Sequence, residues 1–136
     1  MPASTPREDR EWLFQRSPLR LMADESYRTA GDLPNVQGCF HAVNVKLVKT
    51  GGITGAHEAL RAAREAGLET MLGCMIESSV LIAAAAHLAE LTNYLDLDGN
   101  LLIRDDPYAG PTAVGGMLSF RAAPARIGLQ VVKRGG

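Results

Sequence analysis

Asn44-Val45-Lys46-Leu47-Val48-Lys49-Thr50-Gly51-Gly52 carries an apolar run into a lysine and then turns through two glycines. With Ala42 and Val43 ahead of it, the run predicts a short, largely buried strand over 42–47 that opens into a helix after Gly52. Lys46 then sits near the C-terminal strand end among apolar neighbours, where an ammonium loses much of its hydration. Burial can lower a lysine's pKa enough for proton transfer, although most lysines at such positions reach out to water. Strand position alone leaves both roles open.

The alternation of strand and helix recurs on both sides of this stretch. Upstream, Thr5-Pro6-Arg7-Glu8 has the form of a capping box with proline at the first helical position, which predicts a helix to about residue 16. Leu19-Arg20-Leu21-Met22-Ala23 reads as a strand with Asp24-Glu25-Ser26 at its C-terminal end, followed by a brief helical turn within 27–33 that Pro34 closes. Downstream, Thr54 is a candidate N-cap, and Ala56, Leu60 and Ala63 share one helical face. Gly67 suits a left-handed C-terminal cap. A third strand is expected over 69–74, a helix over 80–91 capped by Ser78 or Ser79, and a fourth strand over 93–97 that runs into Asp98-Gly99. Beyond Pro107, Gly115-Gly116 and Pro124 bound two β-like runs, 117–120 and 127–132.

This order argues for parallel βα units. In a βα barrel, chemistry gathers at the C-terminal strand ends. Four polar groups lie there: Asp24 with Glu25, Lys46, Cys74 with Glu77, and Asp96 with Asp98. In a barrel all four face one mouth. Other polar residues read as ordinary structure. Lys49 falls beyond the strand and is expected to be peripheral, Glu77 suits a turn as well as a substrate contact, and Asp105-Asp106 before Pro107 forms a turn. His57 is expected to face solvent and His87 to pack on its helix, while His41 has no visible metal partner.

Composition narrows the function classes. At 136 residues the chain suits one domain with a modest core, and 46% hydrophobic against 21% charged residues is an ordinary globular balance. A net charge of −1, without a Lys/Arg cluster or an aromatic ladder, argues against nucleic acid as a partner. No stretch is apolar enough to span a membrane, and the polar first ten residues do not form a secretory signal. Cys39 and Cys74 are too few for a disulfide framework and fit a reducing cytosol, so a cytoplasmic setting is expected.

Met22-Ala23-Asp24-Glu25-Ser26, the stretch around Lys46, Gly73-Cys74-Met75-Ile76-Glu77-Ser78-Ser79 and Asp96-Leu97-Asp98-Gly99 together resemble the C-terminal part of the enolase superfamily. Within its mandelate racemase/muconate lactonizing type, the Asp-x-Asp resembles the dipeptide epimerases in particular. The resemblance runs from about residue 18 to 132. It implies an α/β fold: a partial (β/α)8 TIM barrel of about the last four βα units over 1–110, then capping-domain strands over 111–136. It further implies an isomerase that epimerises the α-carbon of a small dipeptide substrate through an enediolate, with Mg2+ as cofactor.

On that resemblance Asp24 is the third carboxylate ligand of the Mg2+, a hard cation that takes oxygen ligands. Lys46 is the acid/base lysine, a Lys or His base with Mg2+ being the known pairing in enolase-superfamily sites. Backbone around Cys74, Met75 and Ile76 lines the substrate pocket, and Asp96 and Asp98 hold the dipeptide's ammonium by charge-assisted hydrogen bonds. Glu25 holds a lysine without touching substrate. The family's Lys-x-Lys, aspartate and glutamate of strands two, three and four are absent, and a whole barrel takes about 250 residues. The chain alone is therefore expected to have little or no epimerase activity. Its open sheet edges invite a homo-oligomer. A cycloisomerase, an N-acylamino-acid racemase, or a non-catalytic self-associating half barrel are the alternatives.

Overall fold

The computed structural model describes residues 4–121 and 128–135. Four parallel strands, β1 (Met22–Ala23), β2 (Ala42–Lys46), β3 (Glu69–Gly73) and β4 (Tyr94–Leu95), are hydrogen-bonded in that order. The central pair fixes the register: Ala42 lies beside Glu69, Asn44 beside Met71 and Lys46 beside Gly73. Side chains alternate across a strand, so these residues, with Met22 and Tyr94, share one face of the sheet. Ala23, Val43, Val45, Thr70 and Leu72 form the other face, and all are buried.

That second face packs on α4 (Ile53–Glu65), which buries Ala56, Ala59, Leu60 and Ala63 against it. Helical spacing of small and apolar residues puts these four on one side, Ala59 joining the three that the sequence predicts. The start of the helix differs from expectation. Gly52 is the N-cap at φ 116, and Thr54 lies inside the helix. Two glycines let the backbone reverse within the turn, so no side-chain cap is needed there. The far end matches: Gly67 at φ 78 donates its N–H to Arg64 and Leu68 donates to Ala63, a Schellman closure.

The strand before this helix stops at Lys46, because Leu47–Thr50 wind into one helical turn, α3, ended by Gly51 at φ 79. After β1 the chain makes a 3-10 turn, Ala30–Asp32, and α2 (Leu33–Val36). Pro34 lies in the first turn of α2 rather than closing the segment, a position where its missing N–H costs nothing. Tyr27 ties this segment down: it is fully buried, and its hydroxyl donates to the Ala59 carbonyl at 2.8 Å. Burial pushes its phenol up to about 12.

The first helix, α1 (Arg7–Arg16), ends where expected, but Pro6 is its N-cap in extended geometry and no side chain caps it. None of its residues is buried; Arg7 donates to the Pro34 and Gln37 carbonyls, and the Phe14 ring stacks on His41 at 4.3 Å. The helix expected over 80–91 divides into α5 (Ser79–Ala86) and a 3-10 turn, Ala89–Leu91. Its N-terminus is capped from a distance. Asp106 accepts the Ser79 N–H at 2.8 Å and the Ser79 hydroxyl at 2.6 Å, so this residue does more than form a turn.

Beyond α5 the pairing turns antiparallel. β5 (Tyr108–Ala109) pairs with β8 (Val132–Lys133), and β6 (Thr112–Val114) pairs with β7 (Met117–Ser119) through Gly115 and Gly116, both at positive φ. Of the run expected over 127–132, only Val132 falls in a strand, and Pro124 and Ile127 lie outside the described residues.

Leu72 and Leu95 lie side by side on the same row, the first with no exposed surface and the second 52% exposed. Leu72→Ala is expected to cost about 2–5 kcal/mol in urea unfolding followed by circular dichroism. Leu95→Ala should stay within about 0.5 kcal/mol in the single chain.

Candidate active site

Asp24 leaves the end of β1 and Lys46 closes β2, and their charges meet: Lys46 Nζ lies 3.1 Å from Asp24 Oδ2. The turn of α3 carries the chain back on itself, since residues three apart on a helix share a face. Lys49 therefore returns to the same cluster, with Nζ 2.8 Å from Asp24 Oδ1 and 2.6 Å from Glu25 Oε1. The expectation that Lys49 is peripheral is corrected here: it makes the two shortest ion pairs of the cluster. The lysine side chains are only 13% and 11% exposed. Burial works against the Asp24 carboxylate, but the bonds from Lys49 and Lys46 outweigh it and hold its carboxyl below the usual range. Burial likewise works against the Lys49 ammonium, yet Asp24 and Glu25 hold it above the usual lysine value.

The end of β3 approaches this cluster closely. A Cβ on Gly73 would lie 2.5 Å from the Asn44 Oδ1, so a larger residue there requires the buried amide to move. Asn44 Oδ1 itself has no hydrogen-bond partner. Met75 follows, with its Sδ 3.8 Å from Lys46 Nζ, and both Met75 and Ile76 are exposed at the strand end. Cys74 turns the other way, with Sγ 4.0 Å from Asp98 Oδ1, and burial pushes its thiol up. Gly99 is pressed against the Met75 carbonyl so closely that any side chain would collide with it.

Asp96 continues the ladder, donating its N–H to Leu72 at 3.0 Å. Both Asp96 and Asp98 are exposed and border a cleft of about 640 Å3 walled by Leu95, Leu101 and Phe120. They make no ion pair with the lysine cluster. The structure thus gathers Asp24, Glu25, Lys46 and Met75 into one group and leaves Cys74 and Asp98 as another. A cleft of about 790 Å3 lies beside Ser79, Asn100 and Asp106, at the cap of α5, and both lysines lie outside it.

Glu77 stands out among these residues. It is 7% exposed, and neither carboxylate oxygen has a hydrogen-bond partner; the Met75 N–H faces it outside bonding geometry. Burial pushes its carboxyl up, with the Lys46 charge offsetting part of that. The sequence sets it with Cys74 at the end of β3, where it suits a turn as well as a substrate contact, and the fold is what buries it.

Asp24 offers oxygen donors of the kind a hard cation takes. The number of donors is what falls short. Among the described residues no group of three or more His, Cys, Asp or Glu side chains converges on a metal position. Asp24 fits a magnesium site as one ligand and does not make one alone.

Comparison with known proteins bears directly on this geometry. Residues 2–129 match the family model described as enolase C-terminal domain-like. The chain belongs to that family. Its parallel sheet is accordingly four strands of an enolase-type (β/α)8 barrel. It is 61% identical over 131 residues to an L-Ala-D/L-amino acid epimerase of Pedosphaera parvula, covering 96% of this chain and 38% of that protein. It is 44% identical over 112 residues to an N-acetyl-D-glutamate racemase of a Pseudoalteromonas species, covering 82% of this chain and 36% of the relative. The substrate-liganded L-Ala-D/L-Glu epimerase from Bacillus subtilis superposes with a TM-score of 0.80 at 31% identity, over 94% of this chain and 37% of that one. These relatives are epimerases and racemases, which are isomerases, and the enolase-type chain described here spans little more than a third of their length.

The raised Glu77 carboxyl has a pH signature. Its ionised form is disfavoured by folding, so its contribution to stability falls as pH rises from the ordinary glutamate range to the folded value, and is constant above. Glu77→Gln is expected to match the wild type in acid and to be the more stable of the two at neutral pH, read from paired urea midpoints. A variant equally or less stable at neutral pH would mean that Glu77 has a partner.

Proposed function

We propose that this chain is the C-terminal half barrel of a Mg2+-dependent dipeptide epimerase, with residues 111–136 belonging to its capping layer. The observation that carries the reading is the position of Lys46, a nearly buried amine at a strand end, tied to Asp24 and edged by Met75. The α-proton beside a carboxylate is very weakly acidic, and a positioned amine is the group that can take it and return it. Lys46, when neutral, accepts the proton on one face of the α-carbon. Return of a proton on the opposite face requires a second base from outside this chain. Magnesium, when bound, steadies negative charge on the substrate's carboxylate oxygens, with Asp24 as one of its ligands and the others beyond this chain.

The remaining residues fix the substrate. Asp96 and Asp98 receive the ammonium of the dipeptide's first residue, and the backbone of Cys74, Met75 and Ile76 lines the pocket. Lys49 keeps Glu25 and Asp24 in place by bonding both. The epimerase relatives named above support this reading. The Pseudoalteromonas racemase supports a second one, in which the substrate is an N-acylamino acid. An acylated nitrogen carries no charge, so the two readings differ in what Asp96 and Asp98 are for.

Exchange of the α-proton in deuterium oxide, with L-Ala-L-Glu and Mg2+, tests the proposal. The isolated chain is expected to show none, and a longer protein containing it should exchange readily. In that longer protein Lys46→Met should lower exchange by roughly 10²–10⁴-fold. Undiminished exchange would overturn the assignment.

Specificity is tested separately. In the same longer protein, Asp98→Asn is expected to weaken dipeptide binding by about 10–100-fold, the loss of one hydrogen bond to a charged group. Turnover of an N-acetylamino acid should be unaffected. Equal losses on both substrates would count against ammonium recognition.

A further inference from the structure

Asp96 and Asp98 are not held in the same way. Asp96 is fixed by the sheet, through its N–H to Leu72 at 3.0 Å. Asp98 lies beyond β4 and opens a 3-10 turn, Gly99–Leu102. Two contacts tie that turn to the loop after β3. Gly99 seats against the Met75 carbonyl, and Asn100 donates from Nδ2 to the Ser79 Oγ at 3.2 Å.

We propose that Asn100 is a positioning residue for substrate recognition: its bond to Ser79 orients the turn that carries Asp98 against the backbone of residues 74–76. The inference rests on the reading of Asp96 and Asp98 as the ammonium-binding pair, and it adds the residue that aims one of them.

Neighbouring groups fix the direction of the bond. Ser79 is 5% exposed, and its hydroxyl has a single hydrogen, which goes to Asp106 at 2.6 Å. Burial works against the Asp106 carboxylate, but bonds from Ser79 and Tyr108 and the charge of Arg134 outweigh it and hold its carboxyl below the usual range. An ionised Asp106 can only accept. The Ser79 oxygen is therefore left to accept in its turn, and Asn100 must present Nδ2 to it. Asn100 Oδ1 is buried without a hydrogen-bond partner among the described residues, so the hold of this side chain passes through Ser79 alone.

Geometry makes that bond an orienting one. A single contact at Gly99 leaves the turn free to pivot about it, and a second attachment at the next residue removes the pivot. The far end of the series is anchored as well. Asp106 also accepts the Ser79 N–H at 2.8 Å and the Tyr108 N–H at 3.0 Å, so Ser79 does not follow the turn if it swings. Asp98 and the pocket-lining backbone are thus referred to one buried hydroxyl. Asp96, already held by the sheet, needs no such device.

The bond is tested first in the 136-residue chain. Asn100→Ala should speed amide exchange at Leu101, whose N–H donates to the Asp98 carbonyl at 2.9 Å, by about 3–10-fold, the worth of one neutral hydrogen bond. The Asp96 amide should be unchanged. Asn100→Asp keeps the size and loses the donor, and should speed exchange at least as much. In a longer protein containing this chain, Asn100→Ala should raise KM for the dipeptide by about 3–10-fold, with the loss in KM rather than kcat. The double variant Asn100→Ala/Asp98→Asn should bind no more weakly than Asp98→Asn, because a residue that acts through Asp98 then has nothing to act on. Unchanged exchange at Leu101, a loss in kcat, or fully additive losses in KM would each overturn the proposal and leave the ammonium reading standing. An Asp98→Asn variant with unchanged dipeptide KM would overturn both.

Discussion

Everything at the mouth of this sheet depends on the register between β2 and β3. Side chains alternate with a period of two, so a slip of one residue would send Lys46 to the helix side and Val45 to the mouth. Two features hold the register. Val43, Val45 and Leu72 are fully buried on α4, and slipping would trade them for Asn44 and Lys46. On the other face the Asn44 amide packs closely on the bare Cα of Gly73, and a larger residue there would have to displace it. Apolar burial sets the register, and the close packing at Gly73 adds to it.

From that register, the mouth divides into two electrostatic environments. Asp24 and Glu25 are matched by Lys46 and Lys49, in pairs short enough to hold the Asp24 carboxyl below its usual range. Glu77, reached through the next strand, is more deeply buried than Asp24 and bonded by nothing, and its carboxyl moves the other way. Carboxylates pushed in opposite directions within one site are the arrangement from which acid and base roles arise. Here the difference comes from the backbone. α3 turns Lys49 back toward β1, whereas the 74–78 loop has no basic residue to turn toward Glu77.

Much of this was legible in the sequence, for identifiable reasons. Helical spacing found α4, Gly67 marked its end, and the motif residues around Lys46 and Asp24 implied their shared position. Other features were hidden because their causes are not local. β1 and β4 hold two residues each where longer strands were expected, since an edge has one neighbour to pair with. Pro34 reads as a stop but opens a helical turn. Asp106 caps α5 from across the fold, and Lys49 joins the cluster only because the strand ends one residue early. Glu77 reads equally as a turn residue or a substrate contact, and its burial without a partner shows only once the packing around it is known.

The charge balance at the strand ends says what must complete this site. Lys46 and Lys49 are both committed to Asp24 and Glu25, which leaves Glu77, Asp96 and Asp98 without an ion-pair partner among the described residues. A barrel mouth closed over uncompensated carboxylates would be strongly destabilised by their desolvation. Whatever closes this half barrel, or binds in it, must therefore bring positive charge. On the proposed reading, a substrate ammonium at Asp96 and Asp98 meets part of that need, and a bound cation would meet the rest. In that reading an ammonium-bearing dipeptide brings a charge that an acylated amino acid does not.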